Sequence, residues 1–182
     1  MKTWIFAFVL LALCSCATAP FPGADEYREA IDAGSAGDKR FSGLYDNFEF
    51  RATLLNKEIL RKINERETLV YGWSPETSSE ELQKKMTKAA TKTKVFVSFF
   101  TPRPADDNLD KSSSIWKIYL HSGGRRFEGK ARKDSTNLKE TMSIYPYHTR
   151  WATAYNFEFP MSTDEVGSGP VRLEITGPLG QR

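Results

Sequence analysis

Alternation of apolar and polar residues dominates the second half of the chain. It predicts a mainly β fold, an immunoglobulin-like or C2-like β-sandwich with a two-helix insertion after the first strand. Three observations carry this. Roughly seven segments repeat with the period of a half-buried strand, Gly and Pro mark the turns between them, and helical periodicity is concentrated between the first strand pattern and the next. A lipocalin-like barrel with a helical insert is the alternative the same pattern allows.

The first strand is "FEFRATLL", where Phe48, Phe50, Ala52 and Leu54 alternate with Glu49, Arg51 and Thr53. Asn56 then offers an N-cap, and Ile59, Leu60, Ile63, Glu67 and Val70 form one helical stripe that Ser74 and Pro75 close. Ser78 followed by Glu81 has the spacing of a capping box, which predicts a second helix with Leu82, Met86, Ala89 and Ala90 on its inner face. Lys84, Lys85, Lys88 and Lys92 cover its other side.

Strands are predicted in "KVFVSFFT", "IWKIYLH", "FEGKAR", "MSIYPYH", "WATAYNFEF" and "VRLEIT", with the Gly-Gly of "HSGGRR" as a hairpin turn. Trp116 and Trp151 both fall in strand patterns and are expected to pack in the core.

Trp4 to Leu13 is an unbroken apolar run behind the positive Lys2, the length of a secretory h-region and too short to span a bilayer. Leu13, Cys14, Ser15 and Cys16 follow it and resemble the lipobox of bacterial prolipoproteins, which places a small residue directly before the acylated cysteine. The resemblance implies that residues 1–15 are a signal peptide and that Cys16 carries the lipid. Ala17, in place of an inner-membrane retention aspartate, implies an outer-membrane destination. Residues 16–40, rich in Ala, Gly, Pro and Ser, read as the lipidated N-terminus and a flexible tether, and residues 41–182 as one domain.

With Cys14 removed and Cys16 acylated, the two cysteines of the chain leave no thiol for disulfides, thiolate catalysis or zinc, and neither a cofactor nor a metal is expected. Asp106, Asn108 and Asp110 open like a calcium loop, but Lys111 stands where its glycine belongs, so a solvated loop is favoured.

His121 and His148 lie in no recognisable catalytic motif. The function expected is therefore a membrane-anchored envelope lipoprotein that acts as a non-catalytic binding or scaffolding module. An envelope hydrolase centred on one of the histidines is the alternative. Lys84, Lys85, Lys88 and Lys92 are the candidate contacts for anionic surfaces, and the second basic group is Arg125, Arg126, Lys130, Arg132 and Lys133. The partners expected beside the membrane are an envelope protein, a polysaccharide or anionic lipid. Nucleic acid is not expected as a partner of an exported chain.

Overall fold

A computed structural model describes residues 23–42, 45–166, 169–177 and 180–181. The elements in chain order are α1 (Ala24–Ala33), β1 (Ser35–Ser42), β2 (Tyr45–Leu54), α2 (Lys57–Tyr71), α3 (Pro75–Ala89) and β3 (Thr93–Phe100). A 3₁₀ turn (Pro104–Asp106) leads to β4 (Lys117–Ser122), β5 (Arg125–Glu128), β6 (Lys130–Lys133), α4 (Leu138–Ile144), β7 (Thr153–Phe159), β8 (Arg172–Gly177) and β9 (Gly180–Gln181). The strands form two antiparallel sheets, ordered β1-β2-β3-β7-β6 and β5-β4-β8-β9. Among the described residues neither sheet closes on itself, so the lipocalin-like barrel is ruled out.

One apolar cluster draws on both sheets. Phe50, Val97 and Phe157 come from the five-stranded sheet, Leu120 and Ile175 from the four-stranded one. Trp116 belongs to it as expected, with its indole N–H donated to the Asp106 carbonyl at 2.7 Å and Phe48 packed edge-on against the ring. The chain passes from one sheet to the other between β5 and β6, across the single residue Gly129. A Cβ there would stand 2.4 Å from the fully buried ring of Phe159, so the crossing needs glycine for space.

A second apolar cluster lies on the outer face of the five-stranded sheet, where Phe96 is covered by Tyr27 and Ile31 of α1, Ile59, Leu60 and Ile63 of α2, and Ile144 of α4. Asn56 caps α2 by accepting the Ile59 N–H at 2.8 Å, and Gly72 ends the helix in the left-handed conformation that glycine adopts without strain. The helix pair α2 and α3 is joined by polar side chains, with Asn64 donating to Ser78 Oγ at 3.0 Å and Thr68 sharing a 2.7 Å bond with that hydroxyl.

Several expectations are corrected. The described part of the expected tether, residues 23–40, is ordered, chiefly as α1 and most of β1. Tyr27 and Ile31, one helical turn apart, are both buried, a spacing that the surrounding Ala, Gly and charge outweighed in the composition. "FEFRATLL" is accordingly the second strand, and α2 and α3 follow it in the chain.

The second helix begins earlier than the Ser78 signal, at Pro75, because Ser74 caps it and proline fits the first helical position. "MSIYPYH" is not a strand. Its first residues end α4, which Asn137 caps by accepting the Glu140 N–H at 3.0 Å. Trp151 lies outside β7 and is 70 % exposed, whereas Tyr155, Phe157 and Phe159 are fully buried as their alternation required. Cys14 and Cys16 lie outside the described residues.

Candidate functional site

Side chains of β2 and β3 that point away from the inner cluster form rows across the outer face of the five-stranded sheet. Thr53 faces Phe96, Arg51 faces Ser98, and Glu49 faces Phe100. The helices cover the Thr53–Phe96 end, where both residues are fully buried. The other end is left as a groove of about 440 Å³, with Glu49, Arg51, Ser98 and Phe100 on the sheet side and Tyr147, Thr149, Trp151 and Ala152 on the other.

The wall of the groove is the segment that joins α4 to β7, and it is fixed at several points. Tyr145 stacks on Phe96 with ring centres 3.5 Å apart and planes 1° from parallel. The Tyr147 hydroxyl shares a 2.6 Å hydrogen bond with Thr53, which shares another of 2.6 Å with Ser35. Burial, opposed by the hydrogen bonds from Thr53 and Ser35 and by the Arg51 charge, pushes the Tyr147 phenol up to about 12, so it is neutral near pH 7. His148 is buried edge-on to Phe96 and bonds the Ser98 hydroxyl through Nδ1 at 2.8 Å. A turn closed by the Ala152 N–H on the Thr149 carbonyl then turns Trp151 outward.

The polar groups on the sheet side are held by partners. Arg51 Nη2 donates to Asp32 at 2.8 Å while its guanidinium lies 4.8 Å from the centre of the Tyr147 ring, and Glu49 pairs with Lys39 at 2.7 Å. Such pairs are exposed and add little stability, but they orient the side chains. The groove thus offers aromatic surface beside hydrogen-bond donors and an acceptor.

Burial holds the His148 imidazole below its ordinary pKa against the opposing charge of Asp134, so the ring is neutral at pH 7. Asp134 is itself lowered. Burial raises it, but its hydrogen bonds from Thr136 and Asn156 outweigh that. A serine hydroxyl on a buried imidazole beside a groove is the geometry that a nucleophile and base require. An oxyanion also requires aimed donors. Ser98, however, sits on an interior strand paired to Arg51 on one side and Ala154 on the other, so the strand spends its backbone N–H groups on its neighbours.

His121 lies on the other sheet, with Nε2 2.6 Å from Glu174 and 3.1 Å from Arg172, so the two histidines do not share a site. Burial raises Glu174, but His121 and the flanking Arg126 and Arg172 hold it below the ordinary carboxylate range.

These shifts set the expected acid response. His148 has its folded pKa below the unfolded value of 6.5, so its contribution is complete above that pH and is lost as pH falls through the folded value. Asp134, Glu158 and Glu174 are depressed from values of 3.8 to 4.5, and their contribution is lost at still lower pH. Urea midpoints measured from pH 7.5 to 3 are expected to fall in two stages. The upper stage is expected to vanish in His148→Gln, and a variant that keeps it would exclude His148 as its source.

The expected lysine surface is divided. Lys84 is exposed and pairs with Glu81 at 2.6 Å, Lys88 is exposed, and Lys92 reaches Glu158 at 3.4 Å. Lys85 contradicts the outward reading. It turns in between α2 and α3, where it pairs with Glu67 at 2.7 Å, donates to Asn64 at 3.0 Å and lies 5.2 Å from the Trp73 ring centre. Lys85→Gln is therefore expected to cost about 1–3 kcal/mol of unfolding free energy by leaving the shielded Glu67 carboxylate without its cation. Lys84→Gln is expected to leave the urea midpoint near that of the parent, and equal midpoints for both variants would contradict the assignment.

The second basic group is also split. Arg125 and Arg126 lie on β5, and Lys130, Arg132 and Lys133 on β6 of the other sheet.

No family model and no curated protein matches this chain. Among solved structures, it is similar to a novel protein of unknown function from Burkholderia pseudomallei K96243. The two are 8% identical with a TM-score of 0.48, over 88% of this chain and 81% of that one.

The alternation in the sequence places Glu49, Arg51 and Phe100 on the outward face, but nothing in it tells which outward positions helices will cover. Period two carried across the turn before β7 puts Trp151 in the strand, whereas Pro146 and the polar run after it signal the turn that excludes it. Among the described residues no group of three or more His, Cys, Asp or Glu is placed to hold a metal ion, and no helix is long and apolar enough to cross a membrane.

Proposed function

We propose that this chain is a membrane-anchored envelope lipoprotein whose folded part is a non-catalytic binding module, with its ligand seat in the groove beside Trp151. The carrying observation is that groove. It is concave and bare of helices, and it joins an exposed Trp151 to Phe100, Tyr147, Arg51 and Glu49 in one place. A lone exposed aromatic needs no explanation, but one that borders a groove holding oriented polar groups is the composition of a binding site.

The fold that carries it is, in this reading, a sandwich of the immunoglobulin-like or C2-like kind. The shared apolar cluster supports two stacked layers, and an experimental structure in which Phe157 and Ile175 did not face each other would remove it. Anchoring follows from the lipobox-like Leu13, Cys14, Ser15 and Cys16.

The Ser98–His148 bond favours a second reading, an esterase-like hydrolase in the same groove. A general base contributes about 10²- to 10⁴-fold to rate, so an acyl-ester hydrolysis that His148→Gln abolished would establish it. The paired backbone around Ser98 argues for binding instead.

The binding reading is tested with the full chain in mild detergent, by titrating it against the native cell's envelope fraction. Trp151→Ala is expected to weaken binding at least about tenfold with an unchanged unfolding midpoint, as truncation of a central aromatic anchor does. Equal binding by the two proteins would remove the groove from the account.

A further inference from the structure

Trp151 has an exposed indole, Arg51 presents donors, Ser98 presents a hydroxyl and Glu49 presents a carboxylate, all on one groove whose remaining surface includes the rings of Phe100 and Tyr147. This arrangement is amphiphilic on the scale of a few ångströms. A purely apolar ligand such as an acyl chain would leave the Glu49 and Arg51 charges facing hydrocarbon, which is costly. An anionic polymer would meet Glu49 as well as Arg51, and the nearby pairs Lys39–Glu49 and Asp32–Arg51 already balance charge.

A pyranose ring fits both halves. Its axial C–H bonds form an apolar face that matches the electron-rich face of an indole, and its equatorial hydroxyls donate and accept around the edge. A volume of about 440 Å³ is in the range that holds a small organic ligand, large enough for one or two sugar rings.

We infer that the groove takes a glycan. A pyranose packs on Trp151, and its hydroxyls are read by Arg51, Glu49 and Ser98. The inference rests on the groove being the ligand seat, as proposed above, and adds the chemical class of what sits there. Orientation of the reading groups is built in. Asp32 holds the Arg51 guanidinium, Lys39 holds the Glu49 carboxylate and His148 holds the Ser98 hydroxyl. Side chains fixed before binding lose less freedom on binding. Specificity follows from the same groups, since a site that hydrogen-bonds hydroxyls rejects ligands that lack them.

The test uses the full chain in mild detergent and the native cell's envelope fraction in three forms: untreated, oxidised with periodate to cleave vicinal diols, and digested with proteinase K. Binding is expected to fall at least about tenfold after periodate and to persist after proteinase K. Trp151→Ala and Arg51→Ala are each expected to bind the digested fraction at least about tenfold more weakly than the parent. Leu69→Ala, which removes an exposed apolar side chain of α2 outside the groove, is expected to match the parent.

Trp151-dependent binding that survived periodate and was lost to proteinase K would overturn the glycan and keep the groove as a protein-binding site. Binding that did not depend on Trp151, or no binding by the parent chain, would overturn the groove reading and the glycan with it.

Discussion

A Cys16→Ala chain is expected to take up no lipid label and to keep its signal peptide, whereas a Cys14→Ala chain is expected to be labelled and shortened like the parent. The reason lies in which cysteine follows a small residue. Ser15 precedes Cys16, and Leu13 precedes Cys14. A thiolate is the nucleophile that accepts the diacylglyceryl group, and alanine has no atom to do so, so the expected loss is complete. A single acyl chain binds membranes only marginally, whereas chains in combination give stable anchoring, so the label also decides whether the mature protein stays at a bilayer. Metabolic labelling with an alkyne fatty acid, read on a gel that separates precursor from mature chain, gives both answers. Label persisting in Cys16→Ala, or lost in Cys14→Ala, would sink the lipoprotein reading and leave the groove to be explained in some other compartment.

The strands that bury one face were legible because alternation is a local property. Tyr155, Phe157 and Phe159 alternate in the sequence and are all fully buried, and Gly123 and Gly124 form the predicted hairpin turn with φ of 55° and 73°. The Asn56 cap was legible for the same reason, being a contact between residues three apart.

What failed was non-local or weakly signalled. In α1 only Tyr27 and Ile31 are buried, so the helix depends for its formation on packing against α2 and the sheet, and its composition alone has the character of a tether. Residues 142–148 alternate well enough to pass for a strand, but the Asn137 cap and the Tyr145–Phe96 stack commit them to a helix end and a loop. The candidate site itself depends on helix coverage. Thr53 and Phe96 are covered and Arg51 and Ser98, one row further along, line a groove, and no pattern within β2 or β3 separates those rows.

Phe96→Ala tests that dependence, because Phe96 joins the buried half of the outer face to the wall of the groove. Its ring is fully buried, stacks on Tyr145 and meets His148 edge-on at 6.0 Å. Truncation removes the apolar transfer term and leaves a cavity that the flanking strands cannot close, a cost of about 3–5 kcal/mol. Against a total stability of about 5–15 kcal/mol, the variant is expected to remain folded in the cold with a much lower urea midpoint. The loss of the stack should also loosen residues 145–152 and weaken envelope binding at a temperature where the chain is still folded.

Phe157→Ala supplies the comparison, since Phe157 is equally buried but packs on the inner face, away from the groove. It is expected to lower the midpoint by a similar amount while leaving binding close to that of the parent. If both variants lost binding alike, the effect would be one of general stability and the loop would have no special part in the site. If Phe96→Ala cost less than about 1 kcal/mol, well below the range for a buried phenylalanine, the outer cluster would not be the packed layer that holds Trp151 in place.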